Sequence, residues 1–321
     1  MRVAVPVGGY VPPGEKRGTA AVAAGLLALG LVLAPRAGYA RDSEDTAGTA
    51  RPIPAVSRVV AATFYSQAMQ MQRTFAVYLP PSYDRDPDRT YPVLFLLHGD
   101  GGHAGDWAAF GLQAMMDQAS AAGAPELIVV MPDGSGHSGD LTDWANRWDG
   151  TDPVEDQVME LVMFVDQTYR TIPDRSARFI GGLSSGGFGS LNLALHHPDL
   201  FSTAMSFSGF IAANDPEADP GVFGQNTADI ERNSPAALVT LQAGARDIYY
   251  VLSGGQYDPY FRHRMADFSA ELDRLGIGHE FHIVAGGHDM TAWNAGLDFG
   301  LAHLAAATPH PLSMRTYPRP Q

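Results

Sequence analysis

Short apolar runs without polar alternation recur along this chain, and they narrow the folds open to it more than any other feature. VLFLL (residues 93–97) and LIVVM (127–131) are apolar at every position. A strand with one wet face alternates, so uninterrupted runs of this length predict strands covered on both faces, as in parallel sheets. FAVYL (75–79), TAMSF (203–207), IYYVL (248–252), Phe179-Ile180 with their flanks and FHIV (281–284) also read as strands. Helical patterns separate them. The clearest covers 153–170, where Val154, Val158, Leu161, Val162 and Val165 share one face. Asp152 is placed to cap that helix, with Pro153 in its first turn and Glu155 completing a capping box. Strand–helix alternation on this scale predicts an α/β protein with a mostly parallel central sheet and helices on both faces.

The ends of the chain read differently. Lys16-Arg17 precede AAVAAGLLALGLVLA (20–34), an apolar stretch shorter than the roughly 20 residues that span a bilayer. Pro35 breaks it, and Gly38-Tyr39-Ala40 offers small residues at a cleavage site after Ala40. Residues 1–40 therefore read as a secretory signal peptide, and the protein is expected to be periplasmic or secreted. Residues 41–57 read as a flexible leader, 58–307 as the catalytic domain and 308–321 as a proline-rich tail.

Composition removes whole classes of chemistry. No cysteine is present, which excludes disulfides, thiol nucleophiles and thiolate metal sites. Lys16 is the sole lysine, so a processed chain has no P-loop lysine, Schiff-base lysine or Ser-x-x-Lys dyad. The net charge is −14, and the first forty residues carry four basic side chains against one acidic. A body this acidic repels nucleic acid and anionic membrane surfaces, so neither is an expected partner, nor is a stable membrane anchor after processing.

The strongest local motif is Gly182-Leu183-Ser184-Ser185-Gly186, with a strand before it and an apolar helix after it. A serine on so tight a strand-to-helix turn projects above the helix N-terminus, and its flanking glycines clear the turn of side chains. Ser184 is the candidate nucleophile. Ser185 is the competing serine but lacks the central position; its backbone N–H points to where an oxyanion would develop. A serine needs a base, and His288 follows a strand and a double glycine in FHIVAGGHDMTAW (281–293). His196, His197, His279 and His282 read as surface or packing residues. The base needs an orienting carboxylate, for which Asp258 lies just beyond the 248–252 strand; Asp267 and Glu271 are alternatives, and Asp247 stands at the wrong end. His98-Gly99-Asp100-Gly101-Gly102 ends another strand, where Asp100 or Gly101 can offer a second oxyanion N–H. Asp215, Glu217 and Asp219 lack calcium-loop spacing and read as a solvated loop, so no metal is expected.

The order serine, acid, histidine is that of α/β-hydrolases. YPVLFLLHGDGG, LIVVMPDG, TYRTIPDRSARFIGGLSSGGFGSLNLALHHPDLF, SFSG and GGHDMTAW together resemble the esterase D-like family of that fold. This group includes S-formylglutathione hydrolases, feruloyl and acetylxylan esterases and mycolyltransferases. The resemblance runs from about residue 75 to residue 300. It implies Ser184 as nucleophile, His288 as base, Asp258 as acid, and the backbone N–H groups of Asp100 and Ser185 as oxyanion donors, with no cofactor. Ser185 departs from the methionine often found after the nucleophile, which changes the pocket wall but spares a backbone donor. A signal peptide argues against the cytoplasmic formylglutathione substrate. The expected activity is hydrolysis of an extracytoplasmic ester, on a small molecule or a polysaccharide-linked acyl group. Acyl transfer by the same triad is the alternative, and a non-catalytic binding protein on a hydrolase scaffold stands behind both. Trp107, Trp144, Trp148, Tyr257 and Trp293 are candidates to line the site or simply to pack.

Overall fold

A computed structural model describes residues 56–307; the expected signal peptide and cleavage site, the expected leader up to residue 55 and the expected tail lie outside the described residues. The strands are β1 (Arg58–Ser66), β2 (Met71–Leu79), β3 (Val93–Leu97), β4 (Ile128–Pro132), β5 (Arg178–Leu183), β6 (Thr203–Phe207), β7 (Tyr249–Gly255) and β8 (His279–Val284). They form one sheet in the order β1-β2-β4-β3-β5-β6-β7-β8. β1 and β2 form an antiparallel hairpin, β2 joins β4 antiparallel, and every later pairing is parallel. Helices α1 (Asp106–Ala109), α2 (Leu112–Ala121), α3 (Val154–Thr168), α4 (Ser185–His196), α5 (Pro220–Phe223), α6 (Thr227–Arg232), α7 (Pro235–Leu241), α8 (Pro259–Leu275) and α9 (Met290–Ala307) fill the connections.

The uninterrupted apolar runs are covered on both faces, as such runs must be. Phe95, Leu97, Ile180, Tyr250 and Leu252 meet α3, α4 and α8 on one side. Leu94, Leu96, Phe179, Met205 and Val251 meet Trp107, Leu112, Met116 and the α9 leucines 297, 301 and 304 on the other. Alternate residues of one strand thus feed two cores. The sequence reading does not anticipate β1. It is an edge strand, only its far end is well buried, and it therefore lacks the apolar signature of its neighbours.

Two local expectations fail for one physical reason. The Asp152–Glu155 capping box does not form: α3 begins at Val154 after Pro153, with no side-chain cap. Asp152 instead accepts from the His137 backbone N–H and faces the His137 imidazole, both at 2.7 Å. Glu155 lies against His196 Nδ1 at 2.9 Å and His197 Nε2 at 2.8 Å. Despite its burial, these imidazoles hold Glu155 down at about 2. Asp215, read as part of a solvated loop, is buried; Arg264 pairs with it at 2.8 Å and Tyr260 donates its hydroxyl to it. In each case a distant partner with charge or a strong donor claims a carboxylate that looked locally engaged or free.

Candidate active site

The C-terminal ends of β3, β4, β5, β6, β7 and β8 lie along one edge of the sheet, because these strands run parallel. Loops leaving that edge converge, the usual place for a site in an α/β sheet. Ser184 stands between β5 and α4 with φ 52° and ψ −121°, a conformation costly for a residue with a Cβ. The turn is fastened by Ser184 N–H to the Phe207 carbonyl at 3.0 Å and Phe188 N–H to the Ser184 carbonyl at 3.1 Å. Its glycines are required by close backbone approach. A Cβ on Gly182 would meet the Gly186 carbonyl, and one on Gly186 would meet the His98 carbonyl.

The other two groups of the proposed triad reach this serine from the next strands. β7 ends in Gly254-Gly255, and a Cβ on Gly255 would meet the Gly287 carbonyl oxygen. The loops after β7 and β8 can therefore press together. Asp258 opens α8 and is 7% exposed. His288 Nδ1 lies 2.8 Å from Asp258 Oδ2, and His288 Nε2 lies 2.9 Å from Ser184 Oγ. An ionised Asp258 makes Nδ1 the donor, which leaves the Nε2 lone pair facing the serine. Phe261 stacks on the His288 ring with centroids 4.0 Å apart, and Trp293 meets it edge-on at 5.0 Å. Of the alternative acids, Asp267 is exposed on α8 and Glu271 pairs with Arg274.

The loop after β3 is held by His98. Its Nε2 accepts the Gly134 N–H at 3.0 Å, so Nδ1 carries the proton and donates to the Gly99 carbonyl at 2.8 Å. Burial pushes this imidazole below its usual range, in keeping with a neutral ring. Trp144 donates its indole N–H to the His98 carbonyl at 3.1 Å. Asp100 and Ser185 line one hollow beside Ser184, together with Gly99, Gly101 and Trp144. Ser185 is the first residue of α4, where a backbone N–H has no carbonyl one turn earlier to bond. Burial raises the Asp100 carboxyl, with the Ser185 hydroxyl opposing the shift.

Asp143, on the wall of this hollow, was not legible as a site residue. It is buried, accepts the Asp219 N–H at 2.8 Å through Oδ2, and leaves Oδ1 without a hydrogen-bond partner. Burial first, then the Asp100 charge, pushes it up to about 7. Asp143 and Trp144 have φ of 46° and 61°, so the turn carrying them is strained at two successive residues. No local pattern announces such a residue; its environment comes from the loops after β3 and β4 and from Asp219. The aromatic candidates divide. Trp107 is buried and donates to the Leu97 carbonyl, whereas Trp148 and Tyr257 are exposed.

Comparison with known proteins places this chain in a family. The Esterase family model matches residues 66–304. The Mycobacterium tuberculosis (strain ATCC 25618 / H37Rv) protein "Esterase Rv1288" is 30% identical over 255 residues, covering 70% of this chain and 54% of that protein. The chain thus spans about half the length of the curated relatives it matches first. Among solved structures, a ferulic acid esterase aligns with a TM-score of 0.70 at 28% identity, over 78% of this chain and 99% of that one. The S-formylglutathione hydrolase of Staphylococcus aureus shares the fold, with a TM-score of 0.64 at 21% identity over 78% and 99%. With its largely parallel sheet, its serine elbow and a family match over most of its length, the chain belongs to the esterase family and has the α/β-hydrolase fold.

Proposed function

We propose that this protein is an exported serine carboxylesterase that works through an acyl-enzyme on Ser184. The observation that carries the reading is the hydrogen-bond chain Ser184 Oγ–His288–Asp258, at 2.9 and 2.8 Å. His288 Nε2 takes the serine proton as Oγ attacks the ester carbonyl, and Asp258 stabilises the imidazolium that forms. The backbone N–H groups of Asp100 and Ser185 receive the developing oxyanion. His288 then hands its proton to the departing alcohol, and water activated by the same ring releases the acid.

The substrate is an extracytoplasmic ester, with a sugar-linked acyl group as the favoured class. Support comes from the signal-like segment at residues 20–40 and from the likeness to a ferulic acid esterase. Among the described residues no helix is long and apolar enough to cross a membrane.

The test is p-nitrophenyl ester hydrolysis over a range of acyl lengths, comparing the parent with Ser184→Ala. Loss of the nucleophile is expected to lower kcat by several orders of magnitude, on the order of 10⁶ by the subtilisin precedent. Equal turnover in both proteins would reject the assignment. Methyl ferulate and acetylated xylan then rank the natural classes, and N-terminal sequencing of the exported protein tests cleavage after Ala40.

A further inference from the structure

Asp258 and Phe261 leave the same first turn of α8, three residues apart and therefore on one face. Asp258 Oδ2 faces His288 Nδ1 at 2.8 Å, while Oδ1 accepts the Phe261 N–H at 3.5 Å. The Phe261 ring lies over the imidazole with centroids 4.0 Å apart and planes 21° from parallel. Trp293 of α9 stands almost perpendicular to the same ring, at 86°. His288 is thus held by a carboxylate at its rim, an aromatic face on one side and an indole edge.

We propose that Phe261 is a positioning residue for His288, fixing the plane of the imidazole and favouring its protonated form through the face of its ring. This rests on the reading of His288 as the base. An aromatic face carries partial negative charge and attracts a cation laid over it. In the proposed mechanism His288 becomes a cation at the moment Ser184 attacks, so the ring's attraction is stronger in the transition state than before it. Such a difference raises kcat rather than tightening substrate binding.

The ring is in no position to drift. Phe261 is 8% exposed and belongs to a cluster with Phe188, Phe210 and Phe223. Phe188 and Phe210 stack at 4.3 Å, and Tyr260 packs edge-on against Phe261 at 5.1 Å. Phe210 and Phe223 come from the segment between β6 and α7, so that segment reaches the base through Phe261. The charged groups around His288 are Asp258 on α8, Asp100 on the loop after β3, and Asp289 in its own loop. The Asp289 carboxylate is occupied by the N–H groups of Gly287 and Thr291. None of these changes when Phe261 is replaced by another apolar residue.

The experiment compares the parent, Phe261→Leu, Phe261→Tyr and Ser184→Ala on p-nitrophenyl acetate across pH 5 to 9. Phe261→Leu is expected to lower kcat about three- to five-fold with KM within about twofold, and to move the acidic limb of kcat/KM down by about half a pH unit. Phe261→Tyr keeps both close to the parent. Incorporating pentafluorophenylalanine at 261, which keeps the ring but reverses its face charge, reproduces the Leu shift and covers the case in which Leu does not fold. A kcat loss with the acidic limb unmoved in both the Leu and fluorinated proteins would reduce Phe261 to packing and overturn the proposal. Full activity in Ser184→Ala would instead overturn the triad reading, and this inference with it.

Discussion

The elbow after β5 and residues 209–234 both border the proposed site, and they are built on opposite principles. The elbow is held by backbone against backbone. Gly182 and Gly186 are in contact with carbonyls of Gly186 and His98, and no other side chain fits there. The 209–234 segment is held by side chains sent from elsewhere. Asp143 takes the Asp219 N–H, Arg264 and Tyr260 take Asp215, and His196 Nε2 lies 2.7 Å from the Arg232 carbonyl. Its apolar anchor is the Phe188–Phe210–Phe223 cluster. The elbow is therefore written in consecutive residues, whereas the segment is written in residues up to about seventy-six positions apart.

That contrast can be broken on its rigid side first. Gly186→Ala puts a methyl against the carbonyls of Leu97 and His98, which side-chain rotation cannot relieve. The expected cost is about 3 kcal/mol, a fall in Tm on the order of 10 °C, with esterase turnover lost as the elbow shifts. Unchanged Tm and turnover would show that the elbow tolerates far more slack than its contacts imply.

Asp143→Asn probes the link between the two regions. The folded protein keeps a proton on Asp143 up to about 7, against 3.8 for a free carboxyl. Between those values the folded state binds more protons than the unfolded chain, so stability falls as pH rises from about 4 to about 7, then levels. Asparagine stays neutral and still accepts the Asp219 N–H. Thermal melts should therefore show the parent losing about 2 kcal/mol more than the variant between pH 5 and pH 7. Parallel Tm curves for the two proteins would reject the raised Asp143.

The smallest effect belongs to Asp215→Asn, which removes the charge facing Arg264. Arg264 is a third exposed, so water screens what is left, and about 1 kcal/mol is the expected loss. Denaturant melts would detect it at low salt. A loss several times larger would mean that the segment depends on this pair more than on its phenylalanines.

The legible parts of the molecule share a cause. β3 and β4 were readable because burial on both faces favours an unbroken apolar run, and a run is a property of neighbours in sequence. β1 was not, because an edge strand buries little and needs no such run. Ser184 and His288 were readable as candidates because each sits in a glycine-marked turn beyond a strand. Asp258 needed more. Asp267 and Glu271 are also acidic and stand nearer to His288 along the chain, and only the closure of the β7 and β8 loops brings Asp258 to 2.8 Å from His288. Asp143 and Phe261 carried no signal at all, since a buried carboxyl and a stacked ring acquire their meaning from what packs on them.

The sequence by itself determined the α/β class, the parallel sheet, the elbow and the chain order of the candidate serine, acid and histidine. These follow from periodicity, glycine placement and chain order, which are local or one-dimensional quantities. Only the tertiary structure decided which carboxylate meets which partner. Asp152 and Glu155 left the predicted capping box for histidines, and Asp215 left solvent for Arg264. A buried carboxylate must be neutralised or hydrogen-bonded, and the strongest partner within reach claims it wherever it lies along the chain.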